Sequence, residues 1–404
     1  MSYRIRQGLL TFGSVLMVFA AFAQANPEPA ASTMPATATS APTVVPAADT
    51  PTPTETPTTA PPSPAGTAPA TLAPPPSAAE PPALPPLDAE HTAKLLPDPP
   101  DCPQLQEWAH AWRQRFLGKM NDWVRSELPD LHPKTVLYPF SGPDIATAMA
   151  MFPTASHYTL VADQVAEYPY LSRARVAPAN VTKAECTILS RFKDMGFYVT
   201  MELNGAESTS VARPGFLPLL VAGTVFMDTK VVRAAVLTLD PRGAVREIPA
   251  GSAPARGVRL VVEFPTGRRA TVDYVQIDLS DNGLAGNAAA RKFMQQDTDV
   301  LFLKSASHLL QNPAFSTLAG DFTARRAPYI VQDETGLDIQ RLQAGWFVTA
   351  YGKFTSPHRS WQNNPHALKL VEYYRNNHSA GELPFKIGYR KEAGSALLVG
   401  RRRD

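Results

Sequence analysis

Cysteine is nearly absent from this chain of 404 residues, which has only Cys102 and Cys186. So small a number excludes a disulfide-dense framework, and the pair lacks the C-x-x-C spacing of a metal or redox site. Charge is sparse and balanced, with a formal net charge of +2. A strong electrostatic pull toward nucleic acid is therefore not expected. No long apolar run follows residue 25, so no internal membrane span is expected. Residues 26–100 contain no Phe, Trp or Tyr, and all five tryptophans lie beyond them. The eight histidines form no His-x-x-x-His pair and no His-Glu-x-x-His motif, so no metal site is expected. His358 and His366 read as surface residues. The stretch Gln332-Asp333-Glu334-Thr335-Gly336 lacks the spacing of a calcium loop.

What is present begins with an address. Arg4 and Arg6 precede an apolar run over residues 9–23, and Ala23 and Ala25 supply the small residues of a cleavage site. Residues 1–25 thus read as a secretory signal peptide cut before Asn26, with an uncleaved anchor as the alternative. In the second case this segment is the chain's one membrane contact. Residues 26–100 hold 22 of the 41 prolines, mixed with Ala and Thr. Such a composition cannot bury enough apolar surface to offset its ordering entropy, and it reads as an extended, disordered spacer. Residues 101–404 remain as one globular domain, periplasmic or secreted. In that compartment Cys102 and Cys186 are expected to pair as a disulfide. Two buried free thiols is the alternative.

Periodicity gives the domain an α/β rhythm. Leu105, Trp108, Trp112, Phe116, Met120 and Trp123 recur every three or four residues, predicting a helix over residues 104–128. A strand over 135–140, a turn, a helix over 145–152 and a strand over 158–162 make a βαβ unit. A helix over 182–195 leads toward a strand over 197–203. Strands are expected at 230–239, 258–264 and 270–279, the last two forming a hairpin. The sequence Ser280-Asp281-Asn282-Gly283 is read as a terminating turn. Later come helices over 288–295, 315–325 and 366–374, and strands over 300–303, 329–331, 346–351 and 396–399. The sum is a mixed, mostly parallel central sheet with flanking helices and an antiparallel insertion around residues 230–280. It reads as a degenerate Rossmann-like or methyltransferase-like fold.

Chemistry is expected where strands end. Ser141-Gly142-Pro143-Asp144 follows the first strand and opens a helix, a place where ligands sit in open α/β sheets. Plain capping is the leading explanation: Ser141 as N-cap, Pro143 at the first helical position and Asp144 against the dipole. Asp163 closes the second strand, as the ribose-holding acid does in dinucleotide and S-adenosylmethionine folds. One glycine, Gly142, stands in for the usual glycine-rich loop, so no cofactor is expected. Ser141, His308 and Asp333 stand near strand ends and could form a hydrolase triad, although Gly-x-Ser-x-Gly is missing.

Several phrases together carry a resemblance. They are Tyr138-Pro139-Phe140-Ser141-Gly142-Pro143-Asp144, Lys304-Ser305-Ala306-Ser307-His308-Leu309-Leu310, Val331-Gln332-Asp333-Glu334-Thr335-Gly336, Tyr351-Gly352-Lys353-Phe354-Thr355 and Leu383-Pro384-Phe385-Lys386-Ile387-Gly388-Tyr389. In these phrases the chain resembles a family of uncharacterised bacterial secreted or envelope proteins. The resemblance runs over most of the domain and implies an envelope location without an activity. Relatives tend to carry Gly-Leu-Glu-Pro where this chain has Val161-Ala162-Asp163-Gln164, so it implies no shared role for Asp163.

The leading expectation is a non-catalytic envelope binding or structural module whose partner the sequence leaves open. Its expected pocket is built from Ser141, Gly142, Asp144, Ser307, His308, Gln332 and Asp333. The competing expectations are a hydrolase using Ser141, His308 and Asp333, and a methyltransferase-like fold with a degenerate cofactor loop.

Overall fold

Short β-branched and apolar runs build the sheet at the heart of the domain. The computed structural model describes residues 99–163, 179–198, 217–249, 255–324, 327–389 and 395–403. The expected signal peptide and all of the expected spacer except residues 99 and 100 lie outside these residues. The strands are β1 (Thr135–Pro139), β2 (His157–Asp163), β3 (Lys230–Leu239), β4 (Val245–Ile248), β5 (Gly257–Glu263), β6 (Arg269–Ile277), β7 (Val300–Leu303), β8 (Tyr329–Gln332), β9 (Trp346–Gly352) and β10 (Ala396–Arg402). They form one sheet in the order β4-β3-β5-β6-β2-β1-β7-β8-β10-β9.

The central strands β6, β2, β1, β7 and β8 run parallel. Both flanks are antiparallel: β3, β4 and β5 on one side, β9 and β10 on the other. The sheet is therefore evenly mixed rather than mostly parallel. The antiparallel segment expected around residues 230–280 is present as β3 to β6. Its last strand, β6, is antiparallel to β5 but parallel to β2, so it belongs to the central set as well.

Side chains alternate between two cores, one on each face of the sheet. Val136 and Tyr138 of β1 and Val300 and Phe302 of β7 enter the first core. Leu137, Leu301 and Leu303 enter the second. The first face is covered by α1 (Leu105–Trp112), α2 (Gly118–Glu127), α3 (Ile145–Met151), α4 (Ala179–Met195) and α5 (Leu217–Phe226). The second is covered by α6 (Asp281–Gly286), α7 (Ala288–Met294), α8 (Ser316–Ala324), α9 (Ile339–Gly345) and α10 (Pro365–Asn376). The chain thus leaves β1 for a helix on one face and leaves β7 for helices on the other.

Several elements differ from expectation for identifiable reasons. The long first helix is split by a π-turn, Arg113–Leu117. There Arg113 donates to the Val225 carbonyl, 2.8 Å, at the end of α5. Helix α5 has no amphipathic period because nearly every side chain in it is buried, so the sequence does not announce it. Its Gly223 packs against α3, where a Cβ would collide with Ile145 Cγ2. Ser280 does not end a segment but caps α6, accepting from Gly283 N–H. Asp338 likewise caps α9, a helix that periodicity does not reveal. Phe197 and Tyr198 are not in a strand, and the remainder of the expected strand over 197–203 lies outside the described residues.

A row of paired polar side chains runs from β2 into the antiparallel flank. His157, Asp273, Arg259, Glu247 and Arg233 come from β2, β6, β5, β4 and β3, and neighbours along the row are paired. Burial alone would raise the Asp273 carboxyl, but hydrogen bonds from Arg259 and His157 hold it below the usual carboxylate range. Paired in this way, Asp273 can sit at 1% exposure within the sheet. A disulfide joins Cys102, just before α1, to Cys186 in α4, with the Cα atoms 5.6 Å apart.

Candidate functional site

Parallel neighbours end on the same side, so the loops after β1, β7 and β8 share one rim of the sheet. At that rim the backbone is under local strain. Five described non-glycine residues have positive φ: Phe140, Asp228, Ser305, Ser307 and His308. Four of them lie in the loops after β1 and β7, where Gly142 is left-handed too. A non-glycine residue in that region costs on the order of 1 kcal/mol, and such residues cluster at functional sites.

Beneath the rim lies a buried charged group. Lys304 Nζ donates to Asp144 Oδ2 at 2.5 Å and to the Gly196 carbonyl at 2.7 Å. Tyr138 Oη donates to the same carboxylate oxygen at 3.0 Å. The side chains of Lys304 and Asp144 are 1% and 2% exposed. Burial first, and then the Asp144 charge, push the Tyr138 hydroxyl well above its ordinary range, so it stays a donor. The other Asp144 oxygen accepts from Thr147 N–H and caps α3. Capping therefore falls to Asp144 and not to Ser141. The Ser141 hydroxyl donates to the Gly142 carbonyl, 3.0 Å, within its own turn.

Asp333 ties β8 to β7. One of its oxygens accepts from Ser305 N–H at 2.7 Å. The other accepts from the Thr335 amide at 2.8 Å and the Thr335 hydroxyl at 2.7 Å. Burial raises its carboxyl pKa against the pull of these donors. Gln332 clasps the turn that follows. Its amide donates to the Leu337 carbonyl and its oxygen accepts from Leu337 N–H. Its side chain is spent on backbone and offers nothing to a ligand.

His308 belongs to a third group. Its Nδ1 lies 2.9 Å from Gln311 Oε1, an oxygen that can only accept, so Nδ1 carries the proton. Gln311 is itself fixed by the Gly336 carbonyl and by Asn364. Burial brings the His308 ring down to about 4, so it is neutral near pH 7. Ser307 pairs its hydroxyl with Tyr389 Oη at 2.8 Å. Tyr389 N–H in turn donates to Glu334, 2.7 Å. Next to Tyr389, left-handed Gly388 is obligatory, because a Cβ there would collide with Glu334 Oε2.

The expected residues thus lie along one rim but in separate hydrogen-bonded groups. Ser141, His308 and Asp333 each bond to another partner, and no hydrogen bond among the described residues links the three. Tyr138, Lys304, Thr335 and Tyr389 complete the rim; they stand in the phrases that carry the resemblance, but the sequence assigns them no place in the pocket. Lys304 had a legible signal: it follows the four buried residues of β7 with no turn between. No group of three or more metal-ligating side chains occurs among the described residues. No described helix is long and apolar enough to cross a membrane.

Asp163, at the end of β2, accepts from Leu279 N–H at 2.8 Å. Burial pushes its carboxyl up to about 7. The folded protein then holds this proton more tightly than the unfolded chain, whose Asp titrates near 4. Its contribution is full below pH 4 and is lost as pH rises through about 7. Asp163→Asn is expected to gain about 2–4 kcal/mol over the parent at pH 8 and to converge with it near pH 4. Urea unfolding of both proteins at the two pH values measures this. A difference that does not change with pH would contradict it.

Compared with protein-family models, with curated proteins and with solved structures, the chain gives no match to any of them.

Proposed function

We propose that this chain is a non-catalytic binding module of the cell envelope, carried outside the cytoplasm on its proline-rich spacer. Its ligand would sit where the loops after β1 and β7 part toward opposite faces of the sheet. In an open α/β sheet that is the place for a ligand. The observation that carries the reading is the concentration of left-handed non-glycine backbone at Phe140, Ser305, Ser307 and His308. The family resemblance in the rim phrases supports the envelope setting. The strand order β6-β2-β1-β7-β8, with β10 reversed between β8 and β9, favours a Rossmann-like, methyltransferase-like ancestry for the sheet. The residues do not fit an adenosyl cofactor: the first loop has one glycine, and the Asp163 carboxyl is tied to Leu279. The hydrolase reading lacks its relay, since its three members are bonded elsewhere.

The test is ligand-induced stabilisation of the full chain. Neutral oligosaccharides, short peptides, nucleotides and divalent cations are the probes. A ligand at about 100 times its Kd adds about 2.7 kcal/mol. At least one class is expected to raise Tm with saturation, and a chain that responds to none of them defeats the reading. Ser305→Gly bears on the same idea. Among the described residues the buried Ser305 hydroxyl finds no partner, and its backbone is left-handed. Glycine relieves both costs and is expected to stabilise the free protein by about 0.5–1.5 kcal/mol while reducing the ligand-induced shift in Tm. A variant less stable than the parent would show that the strain is compensated locally.

A further inference from the structure

Beside the strained β7 loop the described side chains close into a circuit. The His308 ring lies 4.8 Å from the Trp361 ring. Ser307, the neighbour of His308, shares a hydrogen bond with Tyr389. The Tyr389 ring lies 6.4 Å from the His358 ring. His358 returns to Trp361 through one tight turn, in which its carbonyl accepts from Trp361 N–H. Phe197 backs Tyr389, ring to ring at 5.0 Å. Trp361, His358, Tyr389 and Ser307 are all partly exposed.

We infer that this circuit binds a neutral, polyhydroxylated chain of the pyranose-oligomer kind; the inference rests on the binding reading above and names its ligand class. Three features favour that chemistry. First, the rings offer flat apolar faces with polar edges, which suit the C–H face of a sugar ring. Second, the Ser307 and Tyr389 hydroxyls can each donate and accept, so they can trade their mutual bond for bonds to hydroxyls of a ligand. The buried Ser305 hydroxyl, with no partner among the described residues, stands two residues away. Third, the buried charges nearby are already spent: Lys304 on Asp144, and Glu334 on the Tyr389 amide. An ionic ligand would leave a desolvated charge without a counter-ion there, whereas a neutral one does not. Arg359, exposed on the same turn, is the cation through which an anion would bind instead.

Calorimetric titration of the full chain with a hexamer of N-acetylglucosamine and a hexamer of glucose tests the inference, with tryptophan fluorescence as a second readout. Saturable binding of at least one hexamer is expected, little changed by added salt. Trp361→Ala should weaken it about tenfold or more. Tyr389→Phe, which keeps the ring and loses the hydroxyl, should weaken it less. Both variants should keep the parent's urea midpoint, because both positions are partly exposed. Failure of both hexamers to bind, or equal binding by both variants, overturns the inference. If peptides or nucleotides still bind at this rim while neither hexamer does, the ligand class is wrong and the binding reading stands. Salt-sensitive binding of an anionic probe, abolished by Arg359→Ala, likewise overturns the ligand class and leaves binding at the rim intact. Should no probe of any class bind, the binding reading falls as well.

Discussion

Lys304→Met is expected to destabilise the domain by about 3–5 kcal/mol, the usual cost of leaving a buried charge without its partner. Lys304 and Asp144 come from the ends of β7 and α3, and water reaches neither. Once the ammonium is gone, Asp144 keeps only the Tyr138 hydroxyl and the Thr147 amide. The Gly196 carbonyl loses its ammonium donor as well. Adding Asp144→Asn should recover a large part of the loss. A neutral amide can still cap α3 through its oxygen, and an apolar side chain of similar length fills the space of the lysine. Replacing a whole buried pair is often nearly neutral, whereas breaking one is not. Urea midpoints of the parent, the two single variants and the double variant close the cycle. A coupling energy of several kcal/mol is expected. Near-additive behaviour would mean that water reaches the pair and that the rim is looser than its geometry.

The sequence made the frame legible and the rim only in part, for physical reasons. Strands announced themselves where four or more apolar residues stood between breakers, as at Val300–Leu303. The helix α5 escapes the sequence because burial on every side erases period, α6 because its cap Ser280 reads as a turn residue, and α9 because its seven residues show no period. At the rim, polar residues at strand ends could be picked out, but not what each one bonds. Asp144 and Asp333 are adjacent to Lys304 and Ser305 in space and far from them in the chain. Gln332 looked like a ligand-facing amide and proved to be a backbone clasp. Left-handed conformation at Ser305 and Ser307 has no sequence signature, since neither is among the residue types that favour it. The strongest positional hint of function was therefore the one that sequence reasoning could not supply.

Reducing the Cys102–Cys186 bond is expected to cost about 4–5 kcal/mol, close to the loss of the Lys304 ammonium but by another route. The bond closes a loop of 84 residues, and in the chain-entropy view its effect lies mainly in the unfolded state. Opening it frees an ensemble that the native contacts must then re-order. What it holds is the start of α1 against α4. Around that junction Trp112 packs on Phe116, Phe192 and Phe226 in the first core. The packing is expected to survive in the reduced native state, so near-ultraviolet circular dichroism should barely change at low urea. The urea midpoint should fall steeply on adding reductant, and a Cys102→Ala, Cys186→Ala double variant should behave like the reduced parent. The rim loops lie beyond the closed loop apart from the one after β1, so ligand-induced shifts in Tm should persist in the reduced protein. A midpoint indifferent to reductant would mean that aromatic packing alone orders α1. A native spectrum that changes on reduction would mean instead that the bond shapes the folded state as well as restricting the unfolded one.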